Sequence, residues 1–394
     1  MQNQMSRRQL LAGLAGALPL SEQRAAPAAP VAVARCRRYG IEVAHVLAKL
    51  FDQLGGLGRL VTGKTVAIKL NLTGSPSYRM GHRPLGMAQW VHQDVIAATI
   101  TLLAKAGARR IRLLESPWST AEPLEEYMLA ANWDPQVLAA AGSRVEFENT
   151  NYLGRHKEYA RFPVPGGGWI YPAYDLSPAY RDCDVFVSLA KLKEHATTGV
   201  TLTLKNCFGN APCTIYGDGA PEDEPSRFPR GGRTIFHRGH RQPPKSCPQE
   251  IDPRSPREDG YRVPRIVAEL VAARPIDLAI IDGIESMAGG AGPWIRGVRP
   301  ISPGLLIAGT NPVSTDAVAM ALMGFDPMAE RGTPPFERCD NTLRLAEELG
   351  VGTRDLRRIE VRGASIAEAA CRFRSQAPTR QPQSRKNPSR RADR

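Results

Sequence analysis

The chain has 394 residues, 42% hydrophobic and 23% charged, so it can bury a sizeable core as one large α/β domain or two smaller ones. Of its formal net charge of +13, residues 1–30 carry +2 and residues 374–394 carry +6, which leaves +5 for the part that folds. That remainder is ordinary and gives no reason to expect a nucleic-acid partner. Ser6-Arg7-Arg8-Gln9 opens an apolar stretch that runs to Leu20, and Ala-Pro-rich sequence follows from Ala25 to Pro30. Paired arginines, a short apolar run and small residues are, in that order, the signature of a bacterial twin-arginine export signal. The apolar run falls short of the roughly 20 residues that span a bilayer, and no later segment has that character. Residues 1–30 are therefore expected to engage the twin-arginine translocase and be removed near Ala26 or Ala29. The mature protein is expected to be periplasmic or otherwise extracytoplasmic.

Ile41 to Leu54 has helical apolar spacing and stops at Gly55-Gly56. Thr65 to Leu70 is a buried strand leading into Asn71, and residues 94–106 form a helix closed by Gly107. Arg110 to Leu114 is a strand ending in Glu115-Ser116-Pro117. Helical stretches near 122–131 and 135–141 precede a short strand, Val145 to Phe147. Residues 150–180 break the rhythm with three consecutive glycines, and read as a hairpin-like excursion. Val185 to Ala190 is a strand, followed at once by Lys191, Lys193 and His195. Val263 to Ala273 is a helix, Asp277 to Ile281 a strand, Gly304 to Ala308 another. Helices at Val313 to Met323 and Thr342 to Leu349 complete the pattern. From Arg374 onward the chain is basic, polar and without apolar period, so it is expected to be disordered.

Short apolar strands alternating with amphipathic helices predict an α/β fold over residues 31–373, a mostly parallel sheet with helices on both faces and long loop insertions. Five strand ends carry chemically able residues: Lys69/Asn71, Glu115/Ser116, Lys191/Lys193/His195, Asp282/Glu285 and Asn311/Asp316. In open α/β sheets the ligand crevice lies beyond the carboxyl ends of the strands, so these groups are expected at one edge. The longest insertion, residues 211–262, is rich in Pro, Gly and charge. It is expected to pack weakly and behave as a mobile cover, with Arg233, His237, Arg238 and His240 either solvated or delivered to the crevice.

In an extended segment, side chains two apart share a face, so Lys191, Lys193 and His195 are expected to point the same way and, with Lys205, to converge on an anion. Lysine suits phosphate or carboxylate as a compact charge, and its pKa falls when it is clustered or desolvated. Gly289, Gly290 and Gly292 could bring backbone N–H groups close to the same anion, although their spacing is neither a Rossmann nor a Walker signature. Asp282, Glu285 and Asp316 serve as counter-charges, or as bases. No segment holds enough acidic ligands to predict a metal site. The seven cysteines form no C-x-x-C pair, which argues against a zinc ribbon or a ferredoxin cluster within this chain.

Together "AIKLNL" (67–72), "LLESP" (113–117), "DVFVSLAKLKEHATTGVTLTLKNCFG" (184–209), "IDGIESMAGGAGP" (281–293) and "GTNPVSTDAVAMALMGFDP" (309–327) resemble the successive blocks of the domain of unknown function 362 family, over about residues 60–330. The resemblance implies Lys191, Lys193, His195, Lys205, Asn206, Asp282 and Asp316 as signature positions, with Asn311 standing where the family often has Asp. Some members are joined to iron–sulfur modules, so a redox role here would need a separate partner. The family brings no established reaction. The expected function is an exported enzyme acting on a phosphorylated or carboxylated small molecule. In that reading His195, Lys193 and Asp282 are catalytic, and Lys69, Asn71, Glu115, Lys191, Lys205, Asn206, Asp316 and the three glycines bind the anion. The alternatives are a non-catalytic protein for ligand binding or cofactor maturation, and a redox protein with an iron–sulfur partner. The residues name no cofactor.

Overall fold

The computed structural model describes residues 25–374. Residues 1–24 of the expected export signal and residues 375–394 of the basic tail lie outside the described residues.

The eight strands of the main sheet, in chain order, are β1 (Val31–Arg35), β2 (Thr65–Lys69), β3 (Arg110–Glu115), β4 (Val145–Asn149), β5 (Val185–Lys191), β6 (Leu278–Gly283), β7 (Leu305–Gly309) and β8 (Val361–Gly363). Their spatial order is β8-β1-β7-β6-β5-β2-β3-β4. Strands β6, β5, β2, β3 and β4 are parallel neighbours, and β7 alone runs antiparallel to its two neighbours. Every residue of β2, β5, β6 and β7 is buried, which is why these strands read as continuous apolar runs rather than alternating ones.

Helices cover both faces, as the sequence pattern predicts. Helices α1 (Ile41–Gln53) and α2 (Gln93–Lys105) pack Val43, Leu47, Val95 and Ile100 against Ile68, Val187, Leu189 and Ile280. On the other face α3 (Leu202–Asn206), α4 (Asp259–Ala273) and α5 (Pro312–Leu322) pack against Ala67, Phe186, Ile281 and Ile307. The excursion at 150–180 contains an antiparallel pair, Ala160–Pro163 with Ala173–Leu176.

Two expectations about placement are corrected. Because β7 runs the opposite way, Asn311 leaves the sheet at the edge away from the ends of the parallel strands. There its side chain caps α5, accepting from the Ser314 N–H at 3.0 Å, and donates to the Val351 carbonyl at 2.8 Å. The insertion at 211–262 is not weakly packed. Four of its apolar residues, Ile215, Tyr216, Ile235 and Phe236, have no exposed surface, while Phe228 and Ile251 remain open to solvent. The Phe236 ring lies 4.6 Å from Tyr216 and 5.6 Å from Phe208, which ties the segment into the core beneath it.

Candidate functional site

Beyond the carboxyl ends of β2 and β3 lies a cavity of about 280 Å³. Lys69 and Asn71 enter it from β2, Glu115 and Ser116 from β3, Thr201 from the residue before α3, and Lys205, Asn206, Phe208 and Gly209 from α3 and the turn after it. His195 adds a wall, and the insertion contributes Arg233 and His237.

The floor is a closed polar network. Lys69 Nζ donates to Glu115 Oε1 at 2.5 Å, to the Leu70 carbonyl at 2.7 Å and to Asn206 Oδ1 at 3.4 Å. Glu115 also accepts from the Leu72 and Ser116 N–H groups at 2.8 and 2.9 Å. Asn206 in turn donates to Ser188 Oγ at 3.1 Å and the Lys69 carbonyl at 3.2 Å. Burial lowers the Lys69 pKa, and the Glu115 carboxylate opposes that shift. With all three ammonium protons and both carboxylate oxygens engaged, this pair builds the site rather than reacting in it. Gly209 allows the close approach: a Cβ there would lie 2.9 Å from Lys69 Nζ.

Lys205 is different. Among the described residues it has no hydrogen-bond acceptor and no carboxylate partner; its Nζ lies 3.9 Å from the Phe208 ring centroid. Burial, then Arg233 and Lys69, push its pKa down to about 7. Arg233 reaches over from the insertion and donates to Ser116 Oγ at 2.5 Å and Asn151 Oδ1 at 2.9 Å. His195 Nδ1 accepts from the Thr197 N–H at 3.2 Å, which leaves the ring proton on Nε2. Burial and the neighbouring Lys205 and Lys193 hold that imidazole neutral, its pKa well below the usual value. Two buried oxygens in the same wall, Asn71 Oδ1 and Thr201 Oγ1, have no hydrogen-bond partner among the described residues.

Asp316 acts from outside the cavity. It accepts from the Thr203 N–H at 3.0 Å, Thr203 Oγ1 at 2.6 Å and the Leu204 N–H at 2.9 Å, so a carboxylate from α5 caps the start of α3. Burial raises its carboxyl to about 7 despite those bonds. The cap holds Leu202, whose φ of +44° is a strained value for a branched side chain, and so fixes where Lys205 and Asn206 emerge. Asp316 is a positioning residue, not a ligand of the cavity.

The expected convergence of Lys191, Lys193 and His195 is corrected. Strand β5 ends at Lys191, paired in register with Asp282, so Lys191 keeps the face of Val187 and Leu189 and points under α1 and α2. There its Nζ donates to Asp282 Oδ2 at 2.8 Å and Tyr39 Oη at 2.9 Å, with no exposed surface on either ionic side chain. Asp282 also accepts from Tyr39 Oη at 3.2 Å and the His92 and Ile284 N–H groups at 2.9 and 3.1 Å. The chain then turns, and a two-residue strand, Glu194–His195, pairs with Gly199–Val200 and carries His195 to the cavity. Lys193 lies between the two centres, donates to the Gln89 carbonyl at 2.8 Å and is absent from the cavity wall. Burial, Lys191 and Lys205 push its pKa down to about 7. Asp282 and Lys191 thus form a second, closed centre.

The three glycines do not cradle the cavity. Gly289 gives its N–H to Glu194 Oε2 at 2.6 Å, and with Gly290 it lines a separate groove beside His195, Glu194 and Arg374. At Gly292 a Cβ would overlap the Trp294 ring. Arg233 and His237 had a signal in the cationic cluster of the insertion, whereas Arg238 and His240 face a different groove with Asp259. Tyr39 carried no signal, and Thr201 and Gly209 none beyond their place in the block 184–209, because their roles arise from neighbours distant in sequence.

The family model described as "Domain of unknown function (DUF362)" matches residues 66–321, a range that contains every residue lining the cavity. A similar curated protein is the thylakoid-associated protein sll1697 of Synechocystis sp., 25% identical over 299 residues, which are 75% of each chain. Among solved structures, a structural-genomics target from Thermotoga maritima matches with a TM-score of 0.34 and 14% identity. That match covers 78% of this chain and 58% of the Thermotoga chain.

Proposed function

The chain belongs to the domain of unknown function 362 family, and from that premise we propose that it is an enzyme acting on a small phosphorylated or carboxylated molecule held in this cavity. One observation carries the reading: Lys205 is a cation turned into a cavity with no carboxylate to balance it among the described residues. Placing a charge in such a position costs free energy that a bound anion would repay. Lys205 anchors the anion and Arg233 adds to the field. Because the floor pair is saturated, His195 is left to orient and polarise the ligand through the Nε2–H hydrogen bond of its neutral ring. Lys205, poised at about 7, can give or take a proton as the ligand's charge changes.

Calorimetric titration with inorganic phosphate and with acetate tests the binding half. Anion binding by the wild type that is lost in Lys205→Met is the expected result, and equal behaviour of the two proteins would overturn it. The saturation of Lys69 and Glu115 also favours a second reading, a protein that captures the anion without converting it. Native mass spectrometry of the purified protein would identify a co-purifying anion. Its chemical change with time in the wild type, and persistence in His195→Gln, supports the enzyme. Persistence in both supports the binding protein.

Export by the twin-arginine route is proposed from Arg7, Arg8 and the apolar run that follows them. Mature protein outside the cytoplasm in an Arg7→Lys, Arg8→Lys double variant would refute that proposal.

A further inference from the structure

Three aromatic side chains from separate segments meet in a cluster that reaches the cavity through Trp118. Tyr78 comes from the loop after β2, Trp118 from the loop after β3, and Trp294 from the glycine-rich loop after β6. The Tyr78 ring lies 6.4 Å from Trp118 and 5.2 Å from Trp294. Trp118 lines the cavity itself, yet is 58% exposed, and Trp294 is 36% exposed.

The platform is built into the fold. A Cβ at Gly74, or at Gly292, would overlap the Trp294 ring, so two glycines let the indole lie flat against backbone. Gly74 has a φ of +82° and lines the cavity. Its loop is pinned twice: Tyr127 Oη donates to the Gly74 carbonyl, and Trp90 Nε1 to the Thr73 carbonyl at 2.9 Å. Gly292, which the sequence suggested for phosphate, therefore serves an aromatic surface instead.

We infer that the ligand carries a planar aromatic ring beside its anionic group, with the ring stacked on Trp118, Tyr78 edge-on beside it at 61°, and the anion at Lys205. Flat faces left open to water are suited to stacking, and Trp and Tyr offer large, rigid surfaces for it. At about 280 Å³ the cavity sits at the small end for ligand sites, with room for one ring and one anion rather than a chain segment. An aryl phosphate and an aromatic carboxylate share this chemistry. The inference rests on the reading of the cavity as an anion site, and deepens it.

The test is a calorimetric titration of the full chain with inorganic phosphate, glycerol phosphate, phenyl phosphate, benzoate, acetate and benzyl alcohol. The ring should improve affinity at least tenfold, phenyl phosphate over glycerol phosphate or benzoate over acetate, and whichever pair shows it names the anion. In Trp118→Ala that ratio should fall close to one, and Trp118→Phe should restore it. Anion binding in the wild type with ratios near one would overturn the ring and leave the anion site standing. Binding of benzyl alcohol with no preference for any anion would overturn the anion site and leave the platform. Binding of none of the six would overturn both.

Discussion

Lys191 and Lys205 come from one continuous stretch of chain, yet they end in opposite circumstances. Lys191 sits under α1 and α2 with Asp282 and Tyr39 as partners, and every Asp282 oxygen is engaged. Lys205 faces a cavity, with an aromatic ring beside it and no acceptor among the described residues. A buried cation whose counter-charge is supplied by the fold is a structural element. One with no counter-charge among the described residues either gives up its proton, as burial favours, or takes an anion from solution. The comparison separates the two centres more sharply than residue type or burial does, since both lysines are depressed by burial.

The largest effect should come from breaking the closed centre. Lys191→Met would strand the Asp282 carboxylate in a site with no exposed surface, and should cost about 3–5 kcal/mol of stability. Urea denaturation measures it, and a loss below about 1 kcal/mol would show that the Lys191–Asp282 pair is not a structural element. At the open centre the expected pattern reverses. Lys205→Met should weaken the binding of phosphate or a small carboxylate by about ten- to a hundredfold, from the roughly 1.5–3 kcal/mol of a charged hydrogen bond. Its ligand-free melting temperature should stay level or rise, because it relieves crowding with Arg233 and Lys69. A large fall in that temperature would place Lys205 with Lys191 as a structural residue.

Gly209→Ala should act in between. The added methyl meets Lys69 Nζ, and overpacking of this kind costs about 1–3 kcal/mol. It should weaken anion binding as well, since Lys69 borders Lys205; unchanged stability and unchanged binding would show that the floor yields freely.

The smallest effect is one of pH. The folded-state pKa values of Lys193 and Lys205, about 7, lie below the ordinary lysine value of about 10.4. Between those limits the unfolded chain holds more protons, so their contribution to stability rises with pH from about 7 towards 10. Asp316 has the opposite sign: its value of about 7 lies above the ordinary 3.9 or so, and stability is lost as pH rises through that interval. Ligand-free stability should therefore dip near neutrality. Lys205→Met, or saturating phosphate, should reduce the rise above pH 7 to the part that Lys193 contributes, and an undiminished rise in both would assign it to other groups.

Local pattern was enough for the elements and the class of fold. The apolar runs at 65–70 and 185–190 became β2 and β5, the periodicities at 41–54 and 94–106 became α1 and α2, and the irregular stretch at 150–180 contains a hairpin. It was enough, too, to bring Lys69, Asn71, Glu115, His195, Lys205 and Asn206 forward, and these six do line one cavity. A period of two or of 3.6 residues, however, says only which side chains share a face, not which face or which neighbour. The last register pair of β5 and β6 sent Lys191 to Asp282, and a turn sent His195 the other way. The single antiparallel strand β7 took Asn311 to the far edge. Arg233 reached Ser116 from 117 positions away, and Tyr39 reached Asp282 from 243. Those partnerships are long-range contacts set by sheet order and packing, so whether each charge found its counter-charge inside the protein was decided only when the chain folded.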